Sequence, residues 1–291
     1  MTFAIFGNIY QAKKAAAVEK VMSMLDGREA RLLIDEPFLR FLSDDLHIHI
    51  PQGVEAISGD AFKADVALSI GGDGTFLETA RLVGCRGIPI LGVNIGRLGF
   101  LADFTPDELA AAIDDLLAGR CQTEERCVLQ LTYDRGMPEG YPYALNEVAV
   151  LKRDVSAMVS IRVEINGEYL TTYQADGLII NTPTGSTGYA LSVGGPIMQP
   201  GSRTLGLVPV APHSLTVRPV TLTDDAVVTL RVSSRNHRFL VSLDGRSEKC
   251  SEDTVLTIKR APYSIRVVKR PGQSFFRTIR TKLMWGQDIR D

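Results

Sequence analysis

The 291-residue chain carries 32 basic and 34 acidic residues, and its hydrophobic fraction is 45%. This balance is that of a folded globular protein and argues against disorder, and the length favours one or two domains. The net charge of −2 provides no overall attraction to nucleic acid or to an acidic membrane surface. We therefore expect neither a nucleic-acid nor a membrane partner, and any anion must bind through a local group of residues.

Cysteine usage and the apolar segments predict a cytoplasmic protein. The four cysteines form no CxxC pair, which is typical of reduced thiols rather than of a disulfide framework or a zinc site. The first residues lack a basic region, and their apolar run is too short for a signal peptide. The longest uncharged stretch, residues 177–202, is rich in Asn, Thr, Ser, Pro and Gly, which excludes a transmembrane segment.

Residues 1–120 alternate short apolar runs with helical patterns, and we assign them to one domain. A capping box at Thr105 and Glu108, with Pro106 at the first helical position, begins one of the helices. Alternating strands and helices predict an α/β fold with a Rossmann-like parallel sheet. Strands are expected at residues 3–6, 65–70 and 88–93, and helices at residues 14–25, 76–82 and 105–118.

Residues 121–271 have a period of two and predict a β-rich, sandwich-like domain. Asn166-Gly167 is the residue pair that best supports a tight hairpin turn. Residues 272–291 contain a predicted helix at 274–285, and the sequence leaves open whether it returns to the first domain. Strands are expected at residues 159–165, 168–173, 226–232, 239–243, 254–259 and 264–268.

A glycine-rich loop directly joins a predicted buried strand to a predicted helix. Glycines allow the backbone to approach a ligand closely, and the N–H groups at the start of a helix suit a phosphate. A plain strand–helix turn would need only one or two glycines. We assign the loop residues Gly71, Gly72, Gly74 and Thr75 to a phosphate loop.

Asp73, in the middle of this loop, is the candidate catalytic residue. A carboxylate repels phosphate, by roughly 1 kcal/mol at about 4 Å in water, so phosphate binding alone does not explain it. A metal ligand, a group that orients a hydroxyl, and a general base are all consistent with its position. The alternative is a structural Asp that caps the helix.

Other nucleotide signatures are absent from the sequence. No Gly-Lys dipeptide occurs, so there is no Walker A loop, and no G-x-G-x-x-G occurs because Leu77 stands where the last glycine is required. Their absence argues against a P-loop ATPase and an ordinary dehydrogenase.

Two further segments are candidate ligand sites. Residues 176–189 run from an apolar strand into a loop dense in hydroxyl groups and glycine, where Tyr189 can stack on a base or pack beneath one. The alternative is a threonine-rich turn. Asn146-Glu147 could hold the two hydroxyls of a ribose, although most such pairs lie on the surface.

Taken in order along the chain, these segments resemble the motifs of the NAD kinase family. The loop at 71–75 alone is shared with phosphofructokinases and diacylglycerol-type lipid kinases, whereas the complete ordered set is highly specific. The matching segments are residues 71–75, 94–101, 146–147, 176–192, 209–215 and 218–219.

The resemblance implies an enzyme that transfers the γ-phosphate of ATP to the 2′-hydroxyl of the adenosine ribose of NAD, with the active site between the two domains. It implies that the β-rich domain at residues 121–271 binds the dinucleotide and that Asp73 is the proton acceptor. It also implies that ATP and a divalent metal, normally Mg²⁺, are required, and that the protein is a homo-oligomer, either a dimer or a tetramer. No protein ligand of the metal is assigned. The implied NAD-binding residues are Asp73, Gly74, Asn146, Glu147, Asp176, Thr187, Gly188, Tyr189, Ala190, Leu191, Ser192 and Ala211.

Four positions depart from the family pattern: Asn181 and Gly188 replace small residues, Glu78 stands where a basic residue is common, and Arg246 stands where Gln is common. These departures concern nucleotide preference rather than the reaction. Two alternative functions remain: a related sugar or lipid kinase that uses the same loop, and a non-catalytic dinucleotide sensor.

Overall fold

The structure is a computed structural model that describes residues 1–9, 15–26, 30–96, 99–154, 157–270, 272 and 274–287. The chain forms two compact units: Met1–Glu125 with Ile265–Asp291, and Arg126–Ser264. Several predicted positions lie outside the described residues. They are Lys14 in the first predicted helix, Arg97 and Leu98 in the segment at 94–101, and residues 271, 273 and 288–291 near the C-terminus.

Five parallel strands in the order β3-β2-β1-β4-β5 form the sheet of the first unit. Four consecutive residues of β1 are buried, as expected for a parallel strand covered on both faces. The predicted α/β fold is confirmed, with strand ends shifted by one or two residues, whereas the short β2 and β3 are not among the predicted strands. The strands are β1 (Thr2–Gly7), β2 (Arg31–Asp35), β3 (Glu55–Ile57), β4 (Val66–Gly71) and β5 (Ile90–Asn94).

Helices pack on this sheet through apolar faces. Val18, Val21 and Met22 of the first helix are buried in the same core as Phe3 of β1. The predicted capping box is present, although its first turn, Pro106–Glu108, is a 3-10 helix. No helix in the described ranges combines the length and the apolar character that crossing a membrane requires. The helices are α1 (Ala15–Leu25), α2 (Glu36–Arg40), α3 (Asp73–Val83), α4 (Leu109–Leu117), α5 (Tyr189–Ser192) and α6 (Phe275–Leu283).

Two antiparallel sheets make up the second unit, and their apolar faces share one core, so the predicted sandwich-like β fold is confirmed. One sheet has the order β13-β12-β11-β8-β15-β16; the other contains β10-β9-β14-β17, with β6 beside β17 and β7 beside β6. The strands are β6 (Thr123–Tyr133), β7 (Tyr143–Ala144), β8 (Glu147–Lys152), β9 (Val159–Ile165), β10 (Glu168–Ala175), β11 (Gly177–Asn181), β12 (Thr204–Val210), β13 (Val220–Thr223), β14 (Val228–Ser233), β15 (Arg238–Leu243), β16 (Arg246–Ser251) and β17 (Val255–Val268).

The predicted hairpin is confirmed: β9 and β10 pair in antiparallel, and Asn166 and Gly167 both have positive φ, at 53° and 83°. The prediction of separate strands at 254–259 and 264–268 is wrong, because β17 is continuous through Pro262. Pairing with β14 ends at Ile258, so the missing N–H of Pro262 removes no bond from that ladder. After leaving the second unit, β17 pairs with β5 in parallel through Val267 and Ile90.

Candidate functional site

The glycine loop lies at the carboxyl end of the parallel strand β4. Gly71 ends β4, Gly72 precedes α3, and α3 begins at Asp73. A Cβ on Gly71 would lie 2.1 Å from Thr75 Oγ1, so only glycine fits there. A Cβ on Gly74 would instead meet no atom within 4 Å. Gly74 therefore leaves the start of α3 bare, and neither packing nor a positive φ requires glycine there.

The Asp73 carboxylate holds a second predicted motif in place. Its Oδ2 accepts a hydrogen bond from the Phe100 N–H at 2.7 Å, and its Oδ1 accepts one from the Leu101 N–H at 2.9 Å. A Cβ on Gly99 would lie 2.0 Å from Asp73 Oδ1, so this close approach requires glycine. Asp73 is the first residue of α3 rather than its N-cap, and its two oxygens bond to residues 100 and 101. The alternative is thus wrong about a helix cap, although the carboxylate does have a structural role in holding this segment. The anchoring of residues 99–101 is not apparent from the sequence.

A cleft of about 540 Å³ opens beside Gly74 and Thr75 at this end of the sheet, within the usual size of small-molecule sites. Glu78 and Arg81 lie on its wall and form a two-point ion pair, with Arg81 Nη2 2.6 Å from Glu78 Oε1 and Nε 2.9 Å from Oε2. Glu78 therefore offsets the positive charge of Arg81 in this cleft. The departure at position 78 therefore lowers the net positive charge of this wall of the cleft.

In the second unit, Asn146 and Glu147 present buried acceptors that the described residues do not satisfy. Asn146 Oδ1 and Glu147 Oε2 are shielded from solvent and have no hydrogen-bond partner there. Burial, and then the charge of Asp244, raise the pKa of Glu147 to about 8. Leaving a buried polar atom unpaired costs about 1–3 kcal/mol, so such atoms suit a ligand's hydroxyl groups.

Asp244 fixes the backbone of this pair and is absent from the predicted site. It accepts three consecutive N–H groups, from Leu145 at 2.7 Å, Asn146 at 2.8 Å and Glu147 at 3.1 Å. Burial raises the pKa of Asp244, and these three hydrogen bonds oppose that effect. With Gly245 it forms the positive-φ turn between β15 and β16. That Asp-Gly turn is the sequence signal that could have drawn attention to it.

Two of the departures from the family pattern have structural roles. Arg246 donates hydrogen bonds to the carbonyl oxygens of Tyr141 at 2.8 Å and Tyr143 at 2.7 Å. Asn181 is buried at the end of β11, where its Nδ2 donates to the carbonyl oxygen of Thr182 at 2.9 Å. Asn181 Oδ1 is buried without a hydrogen-bond partner among the described residues.

The hydroxyl-rich loop packs against Asn146, and its first hydroxyls bond within the protein. Thr182 Oγ1 donates to the carbonyl oxygen of Leu145 at 2.6 Å and accepts the Gly185 N–H at 3.1 Å. Ser186 Oγ donates to a carbonyl oxygen of the loop and accepts a backbone N–H. A Cβ on Gly185 would lie 2.1 Å from the Asn146 carbonyl oxygen. Much of the loop's polarity is therefore structural.

Gly188 brings the end of this loop next to the two unpaired acceptors. A Cβ there would lie 3.2 Å from Glu147 Oε2 and 3.3 Å from Asn146 Nδ2, so the missing methyl leaves room beside the pair. Ala190 is fully buried, and its carbonyl oxygen accepts the Gly195 N–H at 2.8 Å, so neither its methyl group nor that oxygen faces solvent. Thr187 and Leu191 are half-buried, and Tyr189 and Ser192 are exposed.

Asp176 and Ala211 lie at the opposite end of the same sheet. Asp176 forms an ion pair with Lys152, its N–H donates to Val210, and Ala211 follows with a φ of 44°. Glu147 pairs with Asn181 at the far end of β11. Asn181 is five residues from Asp176, and at ~3.3 Å per residue this separates Glu147 from Asp176 by roughly 15–20 Å. The structure thus brings Asn146, Glu147 and Gly188 together but not Asp176 and Ala211.

A carboxylate at a glycine-rich strand–helix turn, next to a cleft of small-molecule size, suits a nucleotide-dependent phosphotransferase. The ATP-NAD kinase N-terminal domain matches residues 11–121, and the ATP-NAD kinase C-terminal domain matches residues 145–270. The chain belongs to the ATP-NAD kinase family and is a kinase that acts on an alcohol group.

Similar proteins cover the whole chain. An NAD kinase of Bacteroides fragilis is 55% identical over 290 residues, with 100% of both chains covered. An NAD kinase of Porphyromonas gingivalis is 42% identical, with 99% of both covered. Two solved structures share the fold: yeast NADH kinase complexed with NADH (TM-score 0.86, 22% identity, 100% of this chain and 89% of that chain) and an Archaeoglobus fulgidus NAD kinase in complex with ATP (0.71, 23%, 97% and 99%).

Proposed function

We propose that the chain transfers the γ-phosphate of ATP to the 2′-hydroxyl of the adenosine ribose of NAD, which gives NADP and ADP. The relatives named NAD kinase, which match the chain from end to end, support this reaction. The observation that carries the proposal is the Asp73 carboxylate, fixed by two backbone N–H groups beside the cleft at Gly74.

In this proposal Asp73 is the general base. Each carboxylate oxygen accepts one backbone N–H and keeps lone-pair capacity for a substrate hydroxyl. The 2′-oxygen attacks the γ-phosphorus, the bond from that phosphorus to the bridging oxygen of ADP breaks, and the hydroxyl proton passes to Asp73. Because such transition states are loose, the enzyme mainly positions the groups and stabilises charge.

Asn146 and Glu147 are the proposed ribose-binding pair. Their unpaired buried acceptors can receive the two hydroxyl protons of a ribose. Below pH about 8 Glu147 carries a proton and can also donate. For Asp176, Thr187, Gly188, Tyr189, Ala190, Leu191, Ser192 and Ala211, contact with NAD remains a prediction.

Magnesium is the proposed metal, and the described residues offer no ready-made cage for it. No group of three or more His, Cys, Asp or Glu side chains among them could hold a metal ion. Mg²⁺ commonly binds through substrate phosphates and water, so it would arrive with ATP and neutralise phosphate charge.

A homo-oligomer, dimer or tetramer, and a cytoplasmic location complete the proposal. On or just after α6, Phe276, Met284 and Trp285 are 60%, 63% and 61% exposed, which suits burial against another copy. Light scattering that gives only the 31.8 kDa monomer would contradict the oligomer.

The free state of all four cysteines suits the reducing cytoplasm.

One assay tests the reaction against its alternatives. The protein, Mg²⁺ and ATP are incubated separately with NAD, fructose 6-phosphate and diacylglycerol, and phosphorylated product is measured. We expect NADP from NAD and no product from the other two acceptors. Phosphorylation of the sugar or the lipid instead would support the related kinases, and NAD binding without NADP formation would support a sensor.

A further inference from the structure

Lys282, on the C-terminal helix α6, is a buried cation that the proposed reaction does not yet use. Its side chain is 4% exposed, and its Nζ has no hydrogen-bond partner among the described residues. A buried ammonium is costly unless nearby groups compensate its charge. The charged groups around the Lys282 ammonium therefore indicate what this residue does.

Two carboxylates of the first unit act on this ammonium. Nζ forms an ion pair with Asp103, at 3.6 Å from Oδ1. Burial lowers the pKa of Lys282 and the nearby Lys269 lowers it further, whereas Asp103 and Asp73 raise it. Asp103 already has a closer cation, since Lys269 Nζ lies 3.3 Å from Asp103 Oδ2 and 3.4 Å from Glu124. Lys282 and Lys269 therefore share the negative charge of Asp103.

Phe100 connects Lys282 to the proposed base. Lys282 Nζ lies 5.4 Å from the centre of the Phe100 ring, a cation–π contact. The backbone N–H of the same residue donates to Asp73 Oδ2 at 2.7 Å. The ring that contacts the ammonium and the N–H that binds the carboxylate thus belong to one residue, so Phe100 links Lys282 to Asp73.

We propose that Lys282 is a positioning residue for phosphoryl transfer, whose buried ammonium keeps the Asp73 carboxylate ionised and ready to accept the hydroxyl proton. This inference rests on the proposed role of Asp73 as the base. A nearby cation favours the charged form of a carboxylate, and the effect grows where water is excluded. The stabilising effect of the ammonium matters most when substrate phosphates approach, because their negative charge destabilises the charged carboxylate of Asp73.

The test is the pH dependence of turnover in Lys282→Met, a substitution that keeps the apolar stem and removes the charge. We expect the acidic limb of the kcat profile to move to higher pH. Turnover should fall by roughly tenfold or more at the acidic end of the profile and return towards the wild-type value at its alkaline end. Lys282→Arg, which keeps a charge, should retain the wild-type limb. Arg280→Met, which removes an exposed cation from the same helix, should leave the profile unchanged.

A double-mutant cycle separates this inference from the proposed function. Since Lys282 acts through Asp73, adding Lys282→Met to Asp73→Asn should cause little further loss. An unchanged profile in Lys282→Met, or an equal loss at every pH, would overturn the inference; the equal loss would assign Lys282 a merely structural role. If Lys282→Met does not fold, Lys282→Gln is judged by the same profile. Full activity of Asp73→Asn alone would instead overturn the role of the base.

Discussion

At the scale of single residues, Glu147 gives the clearest pH dependence. Its pKa in the folded protein is about 8, above the ordinary 4.5, so the folded state retains a proton that the unfolded chain releases between these values. The contribution of Glu147 to the free energy of unfolding therefore falls as pH rises from about 4.5 to 8 and changes little above that. We expect Glu147→Gln without ligand to melt at a higher temperature than the wild type above pH 8, with a smaller difference near pH 5.

Melting curves from pH 5 to 9 test this expectation. Glu168→Gln is the matched control, because Glu168 is an exposed carboxyl on β10. The control should follow the wild type at every pH. A Glu147→Gln curve parallel to that of the wild type would mean that Glu147 titrates as an ordinary carboxyl.

Asp244 yields a prediction about acceptor binding. In Asp244→Asn an amide NH₂ replaces one carboxylate oxygen, so at least one of the N–H groups of residues 145–147 faces another donor. Hydrogen bonds to a charged group contribute ~1.5–3 kcal/mol, so we expect the KM for NAD to rise by roughly tenfold or more while the KM for ATP changes little. Steady-state kinetics measures both constants. Asp253→Asn, at an exposed position, should behave as the wild type; equal losses for both nucleotides in Asp244→Asn would refute the assignment.

The sequence reveals site residues that belong to short motifs and misses those that act through the fold. Asp73 and the pair at 146–147 lie within short continuous motifs. Asp244 is separated by 97–99 residues of sequence from the N–H groups that it accepts, and Lys282 lies on the C-terminal helix α6, beyond the last predicted strand. A periodic pattern cannot show such contacts, because they exist only after the chain has folded.

At the scale of elements, the start of α3 is the part that faces the cleft. Gly74→Val should lose most activity through a higher KM for ATP, while its melting temperature changes little, because the new side chain enters open space. Gly74→Ala, with a smaller side chain, should show a smaller loss. Kinetics and melting curves measure the two effects separately. Full activity of Gly74→Val with unchanged nucleotide affinity would mean that the loop is only structural.

The elements that depend on neighbouring residues are the ones that the sequence predicts correctly. The Asn166-Gly167 hairpin and the Thr105–Glu108 capping box depend on neighbouring residues, and both are present. The error at Pro262 and the omission of β2 and β3 have a different cause. Whether a proline interrupts a strand, or whether three to five residues join a sheet edge, depends on partners elsewhere in the chain.

At the scale of the whole molecule, the two units hold different groups of proposed site residues. The phosphate loop belongs to the first unit, and Asn146 and Glu147 belong to the second. Asn146→Ala and Glu147→Ala should therefore weaken the use of NAD much more than the use of ATP. Binding of each nucleotide by calorimetry tests this separation. Comparable losses for both nucleotides would point to misfolding or to a shared structural role.

The central claim is that Asp73 accepts the proton of the NAD hydroxyl. Asp73→Asn is nearly isosteric, yet one of its hydrogen bonds from residues 100–101 must be lost, so a modest decrease in melting temperature is expected. The decisive measurement is NADP formation by this variant at saturating NAD and ATP over a magnesium titration, with NAD binding followed by calorimetry. The account predicts a loss of ~100-fold or more in turnover at every magnesium concentration, with NAD affinity retained or improved. Recovery to near wild-type turnover at high magnesium would contradict it.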